Sequence, residues 1–295
     1  MPSVSLLRTL PFLLLPPLFW AGNFVVGKAV ADDVPPFSLA FLRWIVVFLV
    51  ILPFAWRFLK RDTALYRQYW QRILATGVVG VTAFNALIYK GLHDTTTTNA
   101  LLLNSCIPIL IILFGFVFYR QKINTKQSLG LMISMLGVLA IVLQGEFGRL
   151  LSLSFNVGDV WVFLAMACWA FYTIWTKAFP SELNKIGLTA IQMLIAIVVL
   201  LPLFIWEMMS GQVIDFHQKS ILGLAYIGIF PSVIAYVLYV LAVEKVGAVK
   251  AGLSIHLIPV FGVALSVGLL GERFYAFHAV GILLIVAGLI LCHQR

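Results

Sequence analysis

Polar and aromatic side chains recur at helical spacing inside the long apolar segments of this chain. Residues three, four and seven positions apart share one face of a helix. Four such stripes occur: Trp20, Asn23 and Gly27; Thr82, Asn85 and Tyr89; Trp169, Tyr172, Thr173 and Thr176; and Ser232, Tyr236 and Tyr239. Because polar side chains are costly against lipid, the stripes should converge on a shared and hydrated interior. Their indole, amide and hydroxyl groups indicate non-covalent binding of a small molecule.

Two prolines lie beside further polar residues. Pro108 and Pro259 fall near the middle of their apolar segments, with Asn104 and His256 close by. A proline frees the carbonyl four residues earlier, here those of Asn104 and Ile255. Helices broken near mid-bilayer commonly hold substrate in transporters, whereas a kink satisfied by neighbouring helices is the structural alternative. The sequence leaves both alternatives open.

Arg43 completes the predicted site. It lies about 10 Å inside its apolar segment at the rise of an α-helix, where it either snorkels outward or binds an anionic group. Its counterpart in the second half of the chain is Gln192, which favours an interior position. The predicted substrate-binding residues are Trp20, Asn23, Arg43, Thr82, Asn85, Tyr89, Asn104, Ser105, Trp169, Tyr172, Tyr236, Tyr239 and His256. The alternative for each is a hydrogen bond between helices, typically below about 1 kcal/mol.

The groups needed for covalent chemistry are missing from this set. No acidic residue falls in the middle third of any apolar segment, although many proton-coupled transporters use a buried carboxylate. His256 is the only central group that titrates near neutrality, and it either couples transport to protons or is a hydrogen-bonded structural histidine. The five histidines are scattered. We therefore predict no enzymatic activity, no cofactor and no metal site.

The composition identifies lipid as the surrounding solvent. Hydrophobic residues make up 62% of the chain and charged residues 11%, against about 25% charged residues in a soluble domain. Apolar stretches of about 20 residues cross a bilayer core. Ten such spans are predicted, at 10–30, 36–56, 72–91, 98–118, 127–144, 158–177, 187–206, 220–242, 249–270 and 275–292. The chain is therefore expected to be an all-α membrane protein with ten transmembrane helices.

The net charge of +9 is explained by basic residues that set the orientation of the chain in the membrane. With the N-terminus in the cytoplasm, fourteen of the twenty Lys and Arg residues fall on the cytoplasmic side, as the rule for membrane orientation requires. Both termini are therefore predicted to be cytoplasmic, and no nucleic-acid partner is expected. The basic and aromatic stretch 57–71 is expected to rest on the anionic inner leaflet of the bilayer.

The two halves of the chain repeat each other at a nearly constant offset. Trp20, Ala21 and Lys28 recur as Trp169, Ala170 and Lys177 at +149, Tyr89 recurs as Tyr239 at +150, and Pro108, Gly130 and Gly137 recur as Pro259, Gly281 and Gly288 at +151. We predict two five-helix repeats, at residues 1–147 and 148–295. Because five is odd, the second repeat enters the membrane from the opposite side, and the repeats are inverted.

The repeated glycines predict close helix packing. Within each half the two glycines are seven residues apart and share one face of spans 5 and 10. Small residues let helices approach closely. The two faces are expected to pack either within the bundle or between the protomers of a homodimer.

Further residues follow the same order as in a known transporter family. They are Trp20-Ala21-Gly22-Asn23-Phe24, Leu42-Arg43, Tyr89, Gly91-Leu92, Thr95 to Thr98, Asn99-Ala100, Pro108, Pro259, Gly271-Glu272-Arg273 and the glycines of span 10. Through them nearly the whole chain resembles the drug/metabolite transporter superfamily, in its ten-helix EamA-type branch. The chain departs from the pattern where Arg120-Gln121-Lys122 stands opposite Gly271-Glu272-Arg273. No role that needs an acid in both copies is therefore expected.

The resemblance implies a bacterial inner-membrane secondary transporter that exports a metabolite, near the aromatic amino-acid exporters. The aromatic and amide side chains suit a small neutral or zwitterionic solute. Two alternatives remain. An anionic solute, such as a nucleotide sugar or a phosphorylated metabolite, would be held by Arg43, Lys28 and Lys90. A non-transporting membrane scaffold or lipid-modifying enzyme would instead pair its polar stripes helix to helix and leave no continuous cavity.

Overall fold

Ten long helices, α1 to α10, form the bundle in the computed structural model, which describes residues 6–30, 32–152, 156–270 and 273–293. They are α1 Leu6–Ala29; α2 Pro36–Arg61; α3 Trp70–Ala75, Thr76–Ala83 and Phe84–Asp94; α4 Thr97–Asn104 and Ile107–Tyr119; α5 Thr125–Val142; α6 Val157–Lys177; α7 Lys185–Met209; α8 Gln218–Gly228, Ile229–Ile234 and Ala235–Val246; α9 Ala248–Leu253, Ser254–His256 and Leu257–Leu270; and α10 Ala276–His293. Within those ranges the chain forms no strand. Nine of these helices are long and apolar enough to cross a membrane, and the tenth contains the shorter apolar stretch Ala276–Cys292. The prediction of an all-α membrane protein is confirmed.

Four of the ten helices are irregular near their middle, in two repeat-related pairs. α3 and α8 contain π-helical segments at Thr76–Ala83 and Ile229–Ile234. α4 is interrupted between Asn104 and Ile107, and α9 becomes a 3-10 helix at Ser254–His256. In α4 the proline that follows lies in the first turn of a new helical segment, where its missing N–H is not needed. Irregular segments inside helices often mark functional sites.

Helix neighbours follow the symmetry of two inverted repeats. α5 packs on α10 and α2 packs on α7, and each of these pairs joins counterparts from the two halves. α1 contacts α8 and α9, while its counterpart α6 contacts α3 and α4. Exchanging the halves maps each contact onto another, as a two-fold axis in the membrane plane requires. The repeat boundary between residues 147 and 148 stays a prediction; a short 3-10 helix, Phe147–Ser152, lies there.

The glycine faces of α5 and α10 pack against each other inside the chain. A Cβ atom on Gly137 would lie 2.6 Å from the backbone oxygen of Gly281, and one on Gly130 would lie 2.5 Å from that of Gly288. Helices this close leave no room for a side chain at these positions. The structure therefore shows that these faces pack within the bundle, which is one of the two alternatives expected for them. A homodimer stays a prediction.

The ends of α2 and α7 cap each other at both faces of the membrane. The carboxylate of Glu207, near the end of α7, accepts hydrogen bonds from the backbone N–H groups of Phe37 and Ser38, at 3.1 and 2.6 Å. At the opposite face Asp62, which follows α2, accepts the backbone N–H of Asn184 at 3.1 Å. A carboxylate at a helix N-terminus satisfies unpaired N–H groups and complements the helix dipole. The pair α2 and α7 is thus fixed at both ends.

The stretch predicted to lie on the inner leaflet is largely helical. α2 continues to Arg61, and a short helix, Thr63–Gln68, follows before α3. Arg61 donates hydrogen bonds to both oxygens of Asp62, at 2.6 and 3.0 Å, and these bonds lower the pKa of the Asp62 carboxyl. Burial raises the pKa of Tyr66 to about 12. Contact between this stretch and the inner leaflet stays a prediction.

Candidate functional site

A small cavity of about 40 Å³ lies where the polar helices meet. It is lined by Trp20, Asn23, Phe24, Arg43, Phe84, Asn85, Ile88, Asn104, Ile107, Trp169, Tyr236, Ile255 and Ile258. These residues come from α1, α2, α3, α4, α6, α8 and α9, so both repeats contribute to what we call the central cavity. A space of this volume holds a few water molecules. It must widen to admit a metabolite.

Arg43 lines the central cavity with one guanidinium nitrogen left without a partner. Its Nε atom donates to the Ser232 hydroxyl at 2.5 Å, and its Nη1 atom donates to Asn85 Oδ1 at 2.8 Å and to the Tyr89 hydroxyl at 2.6 Å. A guanidinium group has five N–H donors, and Nη2 makes no hydrogen bond to any residue in the described ranges. The side chain is only 2% exposed. None of its partners in the described part of the chain is a carboxylate.

The partners of Arg43 form a hydrogen-bonded chain across the bundle. Asn85 donates from Nδ2 to the Tyr236 hydroxyl at 3.1 Å and to a carbonyl of its own helix at 2.7 Å. The Tyr89 hydroxyl, which accepts from Arg43, lies 3.5 Å from the side-chain oxygen of Asn23. The chain links α1, α2, α3 and α8. Predicted residues from both repeats are therefore brought together around one cation.

The π-helical segments of α3 and α8 hold part of this chain in place. Ser232 donates to the carbonyl of Ile227 at 2.5 Å, and Thr82 donates to the carbonyl of Gly77 at 3.0 Å. Each bond spans five residues, the spacing of a π-helix, and the two donors are counterparts in the two repeats. Thr82, predicted to bind substrate, does not line the central cavity and instead stabilises the backbone of α3.

Aromatic rings form another wall of the central cavity. The rings of Trp20 and Trp169 meet edge to face with their centroids 5.1 Å apart, and the Tyr236 ring lies 5.1 Å from Trp169. Trp20 donates its indole N–H to the carbonyl of Pro231 at 3.0 Å, in the π-helical segment of α8. The indole nitrogen of Trp169 is buried and makes no hydrogen bond among the residues described. Trp169 itself lines the cavity.

Asn104 supplies another free polar group. It lies at the end of the first part of α4, its side chain is 6% exposed, and it lines the central cavity. Its amide makes no side-chain hydrogen bond within the ranges that the structure covers. The cavity therefore holds a cation, an indole donor and an amide that a bound molecule can satisfy.

A second, larger cavity of about 480 Å³ reaches toward the membrane face at which α5 ends and α10 begins. It is lined by Ala21, Phe24, Val25, Leu101, Ile141, Val142, Gln144, Ile258, Pro259, Gly262, Val263, Ser266, Val267 and His278. We call it the vestibule. Phe24 of α1 and Ile258 of α9 line both cavities. We call these two shared side chains the septum.

His256 and Ser105 do not line the central cavity. His256 Nε2 lies 3.0 Å from the carbonyl oxygen of Ser105, and its Nδ1 lies 2.8 Å from the Ser134 hydroxyl. Because a carbonyl only accepts, Nε2 carries a proton. The side chain thereby joins α9 to α4 and α5, which is the geometry of the structural alternative.

Two of the predicted tyrosines lie behind the aromatic wall. The Tyr172 hydroxyl donates to Gln192 Oε1 at 3.4 Å, and Gln192 donates to the Thr76 hydroxyl at 2.7 Å. The Tyr239 hydroxyl lies 3.0 Å from that of Thr173. The Tyr172 and Tyr239 rings have centroids 5.2 Å from that of Trp169. They support this tryptophan without lining the cavity.

Other lining residues were absent from the predicted set. The additional ones are Phe24, Phe84, Ile88, Ile107, Ile255 and Ile258. Most are apolar residues inside apolar spans, and nothing in their type distinguishes them from lipid-facing neighbours. Phe24 could have been found, because it belongs to the motif at residues 20–24. Ser232, the partner of Arg43, could also have been found from its stripe with Tyr236.

The cations of the anionic-solute alternative do not meet around Arg43. Lys90 forms an ion pair with Asp94 at 3.4 Å, is 45% exposed, and lines a different cavity together with Glu207. The side chain of Lys28 lies outside the described residues, as do Gly271 and Glu272. Arg43 and Lys90 therefore cannot bind one small anion together in this structure.

Ten helices in two inverted repeats around a small buried cavity are the architecture of a secondary transporter. The model of the EamA-like transporter family matches residues 7–143 and again 156–293. The chain belongs to this family. The two matches correspond to the two halves recognised from the repeated residues.

Relatives and a solved structure agree with this assignment. The chain is 28% identical over 287 residues to an uncharacterized transporter of Archaeoglobus fulgidus, covering 96% of each protein. It is 25% identical over 276 residues to the uncharacterized transporter YyaM of Bacillus subtilis, covering 92% of this chain and 89% of that protein. A crystal structure with 18% sequence identity superposes with a TM-score of 0.78, covering 97% of this chain and 96% of the other. That likeness shows the fold.

Proposed function

We propose that this chain exports a small neutral or zwitterionic metabolite, such as an amino acid, through the central cavity. The observation that carries the proposal is the meeting of unsatisfied polar groups and aromatic rings in one buried space. The Trp169 indole nitrogen is buried without a hydrogen-bond partner in the described chain. The hydrogen bonds of the described residues also leave Arg43 Nη2 and the Asn104 amide unused, and all three residues line the cavity. Buried polar groups are normally hydrogen-bonded, so these three are best explained as ligands for a solute.

The two cavities support alternating access as the transport mechanism. The vestibule reaches the septum of Phe24 and Ile258 from one membrane face, and the small central cavity lies beyond it. In transporters built from inverted repeats, rocking of the repeats exposes a midplane site to each face in turn. Widening between α1 and α9 would join the two spaces. The form described here is thus close to opening at one face only.

A neutral or zwitterionic solute agrees better with the geometry than a nucleotide sugar or phosphorylated metabolite. Phosphate groups are usually bound by several cations, whereas the central cavity holds Arg43 and the exposed Lys90 lies elsewhere. The aromatic rings offer planar apolar surface, which suits an aromatic amino acid. We therefore favour a solute with at most one anionic group.

The distribution of basic residues supports the proposed orientation. Both termini would lie in the cytoplasm of a bacterial cell, and the vestibule would then open to the outside. The test is labelling of single cysteines in a variant whose Cys106, Cys168 and Cys292 are replaced by alanine. A cysteine at Ser210 should react with an impermeant maleimide in intact cells, and one at Lys60 should react only after lysis. The reverse pattern would contradict the orientation.

Transport itself is tested by counterflow in proteoliposomes that contain the purified protein. Vesicles loaded with unlabelled amino acids should accumulate the matching labelled amino acid. Trp20→Ala and Asn85→Ala should each lower the initial rate at least ten-fold without loss of the folded protein. Trp56→Ala is the matched control, because Trp56 is 52% exposed and far along α2 from Arg43. Unchanged rates in both cavity variants would exclude the central cavity as the site.

A further inference from the structure

We propose that Arg43 is a carboxylate receptor, so that the transported solute must carry a free carboxylate group. This inference rests on the proposed function and specifies the chemistry of the solute at the same site. It follows from three features of the cation: how it is held, what it lacks and what surrounds it.

Three hydrogen bonds hold the guanidinium in one orientation. Nε is held by Ser232, and Nη1 by Asn85 and Tyr89. The guanidinium carbon also lies 5.0 Å from the ring centroid of Trp44 and 5.9 Å from that of Tyr89. A planar cation fixed in this way loses little further freedom when it binds a ligand. Its position is therefore set before the solute arrives.

Nη2 is the nitrogen of the Arg43 guanidinium that remains available for hydrogen bonds to a solute. All three acceptors are on Nε and Nη1, so both N–H bonds of Nη2 are left without acceptors in the described structure. A carboxylate oxygen is the acceptor that guanidinium N–H groups bind best, in a charge-assisted hydrogen bond. The Trp169 indole N–H makes no hydrogen bond in the described structure and belongs to a residue that lines the same cavity, so we assign it to the second carboxylate oxygen.

No carboxylate among the residues that the structure describes pairs with Arg43. Its partners are a serine, an asparagine and a tyrosine, and the side chain is 2% exposed. A buried charge normally needs an opposite charge. The site therefore favours an anionic group, and it disfavours a solute whose only charge is a positive ammonium group. The single positive charge of the guanidinium is balanced by the single negative charge of one carboxylate.

The rest of the cavity suits the remainder of an amino acid. The unpartnered amide of Asn104 offers a carbonyl oxygen to an ammonium group. The rings of Trp20 and Trp169 offer faces to an apolar or aromatic side chain. A solute that lost its carboxylate would keep these contacts but would place an unbalanced ammonium beside Arg43.

The alternative is that Arg43 only ties helices together. In that case its three hydrogen bonds are its whole role, and the solute's carboxylate makes no difference to binding. The role in solute binding and the role in helix packing can be separated by changing the solute instead of the protein. The wild-type protein is folded with every solute, so a loss of transport cannot then be caused by unfolding.

The experiment compares each of the twenty amino acids with its carboxamide as a solute for the wild-type protein. Transport is measured by counterflow in proteoliposomes, and binding is measured by the shift in melting temperature in detergent. The expected result is that one or more acids are carried and raise the melting temperature, while the matching amide is carried at least 50-fold less well. Arg43→Gln should reduce the preference for acid over amide to less than three-fold. Ser232→Ala, which leaves the cation in place but loosens Nε, should keep most of the preference.

Each other outcome has a definite meaning. If wild-type protein carries an acid and its amide equally well, the carboxylate receptor is wrong while the proposed transport function stands. If the wild type carries neither amino acids nor amides, the proposed function fails and the inference fails with it. If folded Arg43→Gln retains the full preference for the acid, another group binds the carboxylate and Arg43 is structural.

Discussion

Trp20 and Trp169, which are counterparts in the two repeats, meet edge to face at the centre of the molecule with their ring centroids 5.1 Å apart. Both line the central cavity. The contact therefore joins α1 of one repeat to α6 of the other beside the candidate site. Its two members differ in one respect, because Trp20 donates its indole N–H to Pro231 and Trp169 donates to no residue in the described ranges.

This difference predicts different results for two phenylalanine variants. Trp20→Phe removes a hydrogen bond to the π-helical segment of α8. The free energy of unfolding should therefore fall by about 1 kcal/mol, which appears as a lower melting temperature in detergent. Trp169→Phe removes the same ring atoms but no hydrogen bond to a described residue, so it should cost less stability than Trp20→Phe and should raise the KM for the solute. Thermal unfolding and counterflow kinetics measure the two effects. Equal losses of stability in both variants would contradict the assignment of the Trp169 indole to the solute.

The septum predicts a change in access to the central cavity. In a background without native cysteines, Ile107→Cys places a thiol in the central cavity. Adding Phe24→Ala should raise its reaction rate with an impermeant maleimide at least five-fold from the face where the vestibule opens. Val25→Ala is the control, because Val25 lines the vestibule but not the central cavity. Equal rates with and without Phe24 would show that these side chains do not limit access.

The glycine contact between α5 and α10 predicts a loss of stability on adding a methyl group. An added Cβ on Gly137 would lie 2.6 Å from a backbone oxygen, so Gly137→Ala must push the helices apart. We expect a loss of about 1–3 kcal/mol. Gly268→Ala is the matched control, since nothing lies within 4 Å of the added atom. Melting temperatures in one detergent measure both, and a Gly137→Ala protein as stable as the control would contradict the packing.

The geometry of His256 predicts a structural effect without an effect on coupling. His256→Ala leaves the Ser105 carbonyl and the Ser134 hydroxyl without their partner, which should cost roughly 1–3 kcal/mol of stability. The rate per folded molecule and its dependence on pH between 5 and 8 should stay as in the wild type. Val25→Ala, at a side chain 44% exposed on α1, is the control for stability. A flattened pH profile in His256→Ala would instead identify this histidine as a proton carrier.

The lowered pKa of Asp62 predicts a stability change in acid. A carboxyl whose pKa is lower in the folded protein than in the unfolded chain stabilises the fold above its unfolded pKa of about 3.9. That contribution is lost as the pH falls below this value toward the folded pKa. Asp62 accepts hydrogen bonds from Arg61 and from the N–H of Asn184. Asp62→Asn should therefore lower the melting temperature at pH 7 and flatten its fall between pH 5 and 3, whereas an unchanged pH dependence would contradict the assignment.

The sequence predicted the helices well because their signal is local. Hydrocarbon thickness requires about 20 apolar residues per span, and each span could be recognised from its own residues. The inverted repeats could also be recognised from the sequence, because equivalent positions such as Tyr89 and Tyr239 carry the same residue type. Polar stripes predicted that Asn23, Asn85 and Tyr236 face inward, since spacing along one helix fixes a common face.

The site itself was predicted only in part, because its geometry depends on departures from regular helix. The π-helical segments rotate the faces of α3 and α8, so Thr82 and Tyr239 lie beside the cavity wall and not in it. The break in α4 points the Ser105 carbonyl to His256. Proline is the one residue type in these helices that indicates such a break. The septum of Phe24 and Ile258 joins helices from opposite ends of the sequence, and its residues are as apolar as their neighbours.

Arg43 and Gln192 occupy equivalent places in the two repeats, and only one of them is charged. The two repeats thus share one backbone arrangement, while the buried charge lies in only one of these two positions. If the solute binds Arg43 as proposed, it contacts the first repeat in both the inward-facing and the outward-facing form, and the second repeat moves relative to it. The two half-cycles then differ in rate, while the gradients set the direction of net flux.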